Sequence, residues 1–199
     1  MKLEPAVLEN PFARLEPLAE AHPEALRAAC AADPDIWTAL YPISWAGAEF
    51  EPSWLRLSRQ VAAGQAIAFA VIAQGRCVGL SSFLAPDAAN ASVEIGGTYY
   101  RPDARGGPIN PGAKRLLMGH AFDTGARRVV FRVDALNLRS RAAVLKLGAV
   151  QEGVMRQDRV TWTGRVRDTV VFSVLAGEWP AVRDRLDARL AAFANPAAP

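Results

Sequence analysis

The 199-residue sequence predicts an α/β protein of the α+β type, with one mixed sheet and helices on both of its faces. Three observations predict it. Short runs rich in β-branched and aromatic residues alternate as strands do. Other stretches return apolar residues at three- and four-residue spacing, as amphipathic helices require. Hairpin strands come first and strands alternating with helices follow, an order that suits a sheet covered by helices. One domain spanning 1–199 is expected, large enough to bury a core without staples.

The elements follow in chain order. Phe12-Ala13-Arg14-Leu15-Glu16-Pro17-Leu18 reads as a short strand that enters a helix near 20–32. A second helix covers 51–63, where Trp54, Leu57 and Val61 share a face. Ile67–Ala73 and Cys77–Leu84 are two strands, and Gln74-Gly75 supplies the tight turn between them. Ser92–Tyr100 is a strand, followed by the glycine-containing stretch from Arg105 to Pro111 and a helix over 111–123, with Leu116, Leu117, His120 and Ala121 at helical spacing. Arg128–Asp134 alternates Val129, Phe131 and Val133 on one side. A helix then opens at Asn137 and stops at Gly148, where a left-handed cap is expected. Strands over 149 to about 159 and Thr169–Leu175 precede a terminal helix marked by Val182, Leu186, Leu190 and Phe193. Residues 194–199 read as a loose tail.

Composition excludes several classes. The charge balance is 23 minus 20, or +3, and the basic residues are scattered, which is no nucleic-acid footprint. Two cysteines, Cys30 and Cys77, lie far apart in apolar stretches, and the two histidines form no H-x-x-x-H pattern, so no metal site and no disulfide framework are expected. No basic-then-apolar leader and no apolar run of membrane length is present, so a cytoplasmic protein without membrane contact is expected.

The most informative segment is Arg105-Gly106-Gly107-Pro108-Ile109-Asn110-Pro111, between a strand and a helix. Asn110 is placed to cap that helix, and Pro111 fits its first turn. A glycine loop at a helix N-terminus gathers free N–H groups and a positive dipole end, which suits a phosphate or pyrophosphate; the plain alternative is a turn. No G-x-G-x-x-G and no Walker sequence is present. A second strand-to-helix junction, Asn137-Leu138-Arg139-Ser140, repeats the open polar N-terminus, with Asn137 as its cap. Ligands of open α/β sheets gather at such junctions.

From Asn137 onward the residues Ser140, Ala143, Lys146-Leu147-Gly148-Ala149 and Glu152-Gly153 are spaced as in the GNAT acetyltransferase superfamily, and the chain resembles its ribosomal-protein N-terminal acetyltransferase (Rim-type) branch. Val93-Glu94-Ile95-Gly96, the Arg105 loop and Arg167–Ser173 fit the same branch in order, so the resemblance covers roughly residues 10–190. It implies the GNAT fold, a mostly antiparallel sheet splayed between the family's fourth and fifth strands, and acetyl-CoA as co-substrate. Backbone groups of Thr98, Tyr99 and Tyr100 would pair with the pantetheine arm, and N–H groups of Arg105, Gly106, Gly107, Ile109 and Asn110 would hold the pyrophosphate. Asn137 would bind the pantetheine, and Lys146 either reaches the adenosine phosphate end or is solvated. The loop departs from the family pattern, since Pro108 and Asn110 stand at its two small positions. Pro108 has no N–H, so one phosphate contact is lost or the loop takes another path.

Glu94 is the one carboxylate inside the strand that would flank the thioester, and burial between Val93 and Ile95 would raise its pKa toward that of a general base; a hydrogen-bonded or solvent-facing strand carboxylate is the alternative. The resemblance implies Ser140 as the acid that protonates the thiolate, against a serine bonding locally. Trp37, Tyr41, Trp45 and Trp54 form core or line the acceptor site, and Arg156, Asp158, Arg159 and Arg165 make a polar stretch able to read an acceptor. The expected activity is acetyl transfer to a primary amine, on a protein N-terminus or a small molecule such as an antibiotic or polyamine. A CoA-binding regulatory module without catalysis is the alternative, and family habit makes a homodimer plausible.

Overall fold

The structure, a computed structural model, describes residues 1–195. Eight strands form a single sheet in the order β1-β2-β3-β4-β5-β6-β8-β7. They are β1 (Leu8–Asn10), β2 (Ala13–Pro17), β3 (Ala66–Ala73), β4 (Arg76–Asp87), β5 (Ser92–Tyr100), β6 (Arg128–Asp134), β7 (Val150–Val160) and β8 (Val166–Leu175). All neighbours pair antiparallel except β5 and β6. The predicted turn between β3 and β4 is present: Gln74 and Gly75 both take positive φ, as the tight hairpin turn that matches strand twist demands.

Among the described residues six α-helices cover the sheet: α1 (Pro23–Ala31), α2 (Asp35–Leu40), α3 (Phe50–Ala62), α4 (Ile109–Asp123), α5 (Leu138–Lys146) and α6 (Trp179–Ala194). Leu117 and Met118 of α4, Val144 of α5 and Val182 and Leu186 of α6 pack with Phe83, Phe131 and Phe172 in one core. Leu26 and Cys30 of α1, Trp37 of α2 and Phe50 and Leu57 of α3 pack on Leu80 and Tyr99 in the other. The two faces therefore have separate cores, joined by the strands between them.

Several sequence expectations need correction. Strand β1 and helix α2 are too short to announce themselves by periodicity. Asn110 does not cap α4: the helix starts at Ile109, Pro108 occupies the cap position, and its carbonyl accepts the Gly112 N–H at 2.8 Å. Pro108, with φ fixed near helical values, starts the helix earlier than the side-chain cap would. Val61 and Phe193 lie at the exposed edges of their helices rather than in the core. Ala194 closes α6, and the rest of the expected tail, 196–199, lies outside the described residues.

At Gly79 the sheet leaves no room for a side chain. A Cβ built on it would lie 1.9 Å from the Tyr99 carbonyl oxygen, a backbone atom that cannot swing away. Gly79→Ala is therefore expected to cost about 1–3 kcal/mol through forced separation of β4 and β5, read as a lower urea midpoint at unchanged slope.

Candidate active site

The parallel pairing of β5 with β6 joins Ser92 to Arg128, Val93 to Val129 and Glu94 to Val130, and then ends. Beyond Glu94 the strands part, so Ile95–Tyr100 of β5 and Phe131–Asp134 of β6 have no register partners across the fork. Here β5 also departs from β4. Leu80 faces Tyr99 and Ser82 faces Gly96, so Gly97 and Thr98 together oppose Ser81. This two-for-one bulge depends on Gly97, whose φ of +59° favours glycine. A cavity of about 1,070 Å³ opens along the fork.

Of the sequence-predicted residues, Glu94, Thr98, Tyr100, Arg105, Gly106, Asn110, Asn137 and Ser140 line this cavity. Tyr99 turns its ring to the opposite core, where its hydroxyl donates to the Ala29 carbonyl at 3.0 Å. Gly107 and Ile109 line a smaller groove beside β1, β2 and the β3–β4 turn. Lys146 is exposed at the end of α5, away from the cavity lining.

Glu94 sits at the apex of the fork. Arg132 reaches its carboxylate at 3.1 Å, and the side chain is only 15% exposed. Burial raises its pKa above the usual carboxylate value, while the Arg132 and Arg159 charges pull the other way. Ser140 lies in the first turn of α5, and its N–H donates to the Asn137 side-chain oxygen at 3.0 Å, the cap the sequence predicts.

The glycine loop is partly occupied by its own chain. The Arg105 N–H donates to the Pro102 carbonyl at 3.2 Å, so it is not free for an anion. The Arg105 side chain donates to the Tyr100 carbonyl at 2.7 Å and to Asp33 at 2.6 Å. Gly106 takes φ +82°, and a Cβ on Gly106 or Gly107 would meet nothing within 4 Å. The loop is an open turn beside the N–H groups of Ile109 and Asn110, which start α4 and have no preceding turn to bond.

Among the early aromatic residues, Tyr41 follows α2 and donates its hydroxyl to the Thr98 carbonyl at 2.8 Å. Sequence reasoning missed three wall residues. Asp134, 3% exposed at the end of β6, accepts the Leu136 N–H at 2.9 Å and pairs with Arg165. Arg167 of β8 is buried, with its Nε 3.8 Å from Asp134 and without a hydrogen-bond partner among the described residues. Lys114 of α4 is 5% exposed and donates to Ser81 Oγ at 2.8 Å and Thr98 Oγ1 at 2.6 Å. Burial lowers its pKa to about 7. A signal was present: Lys114 shares the apolar face of Leu117, Met118 and Ala121, where a lysine is out of place.

A family model described as an acetyltransferase (GNAT) domain matches residues 13–150. The chain belongs to the GNAT acetyltransferase family. As a GNAT enzyme it is an acetyl-CoA-dependent acetyltransferase. Comparison with curated proteins gives no match. Among solved structures, the GNAT chain is similar to an acetyltransferase-type structure from T. thermophilus, at 37% identity over 96% of this chain and 100% of that one, with a TM-score of 0.85. It is similar to a GCN5-related N-acetyltransferase from Brucella melitensis, at 34% identity over 94% and 86% of the two chains and a TM-score of 0.85. Mycobacterium smegmatis RimJ, solved with CoA-disulfide, shares the GNAT fold at 22% identity over 92% and 93% of the chains, with a TM-score of 0.78. Relatedness at that distance is a likeness of fold.

Proposed function

We propose that this enzyme binds acetyl-CoA along the β5–β6 fork and transfers its acetyl group to a primary amine by direct attack, with a protein N-terminal α-amine as acceptor. The observation that carries this reading is the fork itself. Beyond Glu94, the carboxylate at the apex, β5 has no partner on its β6 side as far as its end at Tyr100, and the chain then leads to the open Gly106–Gly107 turn at the start of α4. A Cβ built on Gly106, which lines the cavity, would meet nothing within 4 Å, so the turn leaves space for a phosphate group there.

Each residue then has a role. The N–H groups of Gly106 and Asn110, which line the cavity, meet the pyrophosphate, while Gly107 and Ile109 stand on the groove side of the same turn; Arg105 serves instead by holding the turn to Tyr100 and Asp33. Main-chain groups of Thr98, Tyr99 and Tyr100 flank the pantetheine arm, with the Thr98 and Tyr100 carbonyls already engaged by Tyr41 and Arg105. The Asn137 side chain caps α5 and offers its amide N–H₂ to the arm. The amine nitrogen attacks the thioester carbon and the C–S bond breaks. Glu94 takes the proton that the nitrogen must lose, and Ser140 supplies one to the departing thiolate. A peptide N–H of the Gly97–Thr98 bulge stabilises the charge that gathers on the carbonyl oxygen.

The acceptor enters from the wall built by Trp37, Tyr41, Trp45, Asp158 and Arg159. The fold likeness to RimJ and to RimL, an L7/L12 α-N-protein acetyltransferase, favours a protein N-terminus there. A small amine uses the same machinery. Calorimetric titration tests the co-substrate: one-to-one binding of acetyl-CoA, at least about tenfold tighter than adenosine diphosphate, is expected, since the arm adds hydrogen bonds that the diphosphate lacks. No binding at millimolar acetyl-CoA would overturn the placement in the fork. A panel of free-amine peptides against small polyamines then separates the two acceptor classes.

A further inference from the structure

Lys114 has no carboxylate within ion-pairing distance among the described residues, yet it is nearly sealed from solvent. An ammonium in such a place is costly unless its donors are used. The fold does not require it, because Ala113, Leu117, Met118 and Ala121 already seat α4 on the sheet. Two of its donors go to Thr98 Oγ1 and Ser81 Oγ, and those hydroxyls bond each other at 2.8 Å. These are the residues of the β5 bulge and the single β4 residue opposite it. On the other side, Tyr41 holds the Thr98 carbonyl. Thr98 is thus gripped at its side chain from α4 and at its main chain from the segment after α2, at the one place where β5 has no register partner in either neighbouring strand.

We propose that Lys114 is a positioning residue of the transfer site: through Thr98 Oγ1 and Ser81 Oγ it fixes the Gly97–Thr98 bulge, and so fixes the peptide N–H that meets the acetyl carbonyl. The proposal rests on the reading that acetyl-CoA lies in the fork. A lysine suits the task because its amino group, charged or neutral, has donors enough for both hydroxyls at once. Two hydroxyls without it would still bond each other, but nothing would tie the pair to the rigid helix. Lys114 also lines the cavity, so the tie lies beside the ligand rather than behind it.

The test uses the full chain as wild type, Lys114→Met, Thr98→Val and the double variant. Methionine keeps the length of the stem and removes the donors; Thr98→Val removes the acceptor at the other end and guards against a Lys114 variant that does not fold. In the ligand-free protein, amide exchange of Gly97 and Thr98 is expected to quicken about tenfold in either single variant, with no further gain in the double, while β3 and β8 amides keep their protection. In calorimetry the preference for acetyl-CoA over CoA is expected to shrink about tenfold, with CoA affinity itself within about threefold of wild type. Unchanged exchange at Gly97 and Thr98, additive effects in the double variant, or equal weakening of CoA and acetyl-CoA would each overturn the proposal. A wild type that binds neither ligand overturns the acetyl-CoA placement instead, and the exchange measurement still decides whether Lys114 holds the bulge.

Discussion

Glu94→Gln is expected to bind acetyl-CoA within about threefold of wild type and to lose about 10²–10³-fold in kcat. The amide keeps the shape of the carboxylate at the apex of the fork and removes its ability to take a proton. The pH dependence carries the sign. Burial raises the Glu94 pKa above the ordinary carboxylate value. A base works only when ionised, so wild-type kcat/KM falls as pH drops through that raised value and levels off above it. The amide variant would show no such limb. Removing the cation at 3.1 Å, as in Arg132→Met, would move the limb to higher pH, because one of the charges that favour the ionised form is gone. Full activity in Glu94→Gln with the acid limb intact would exclude Glu94 as the base.

Asp134→Ala is expected to destabilise the protein by about 3–5 kcal/mol. The carboxylate is the counter-charge for Arg167, which is itself buried in β8, and it also binds Arg165 and the Leu136 N–H. Removing it leaves a guanidinium in the sheet without an anion and frees the turn that delivers Asn137 to the start of α5. An amide at this position keeps the acceptor for the Leu136 N–H and loses only the charge, so Asp134→Asn should lose less. Urea unfolding of the three proteins separates the two contributions. Equal stability of Asp134→Ala and wild type would mean that Arg167 finds solvent when its partner is gone.

The sequence was most legible where a local rule set the outcome. Gln74-Gly75 announces a turn because positive φ is demanded there, and Asn137 announces a cap because its side chain bonds three residues ahead. Gly148, with φ +95°, ends α5 as expected. The same kind of rule failed at Asn110: a side-chain cap and a proline compete for one helix start, and the proline two residues earlier won. Eight of the residues singled out in the sequence line one cavity, although they come from β5, the Arg105 loop and the start of α5. Lys114, Asp134 and Arg167 stayed hidden because their importance arises across long stretches of intervening chain, in contacts with Thr98, Arg165 and Asp134. Only the folded sheet brings those partners together. Arg105 illustrates the converse, since it lines the cavity but its amide is already spent on Pro102.

The parting of β5 from β6 also bears on how such a protein can change. In the proposed placement the acetyl donor meets main-chain groups of β5 beyond Glu94, which almost any sequence can supply, whereas the acceptor meets particular side chains of α2, of the segment after it and of the β7–β8 hairpin. On the proposed reading, drift in sequence would leave donor recognition largely untouched while acceptor recognition could be rewritten by a few substitutions. A shape shared at a TM-score of 0.85 with only 34% of residues in common is what such a division of labour permits. Enzymes of this shape can therefore diverge in what they acetylate long before they lose the means of acetylating.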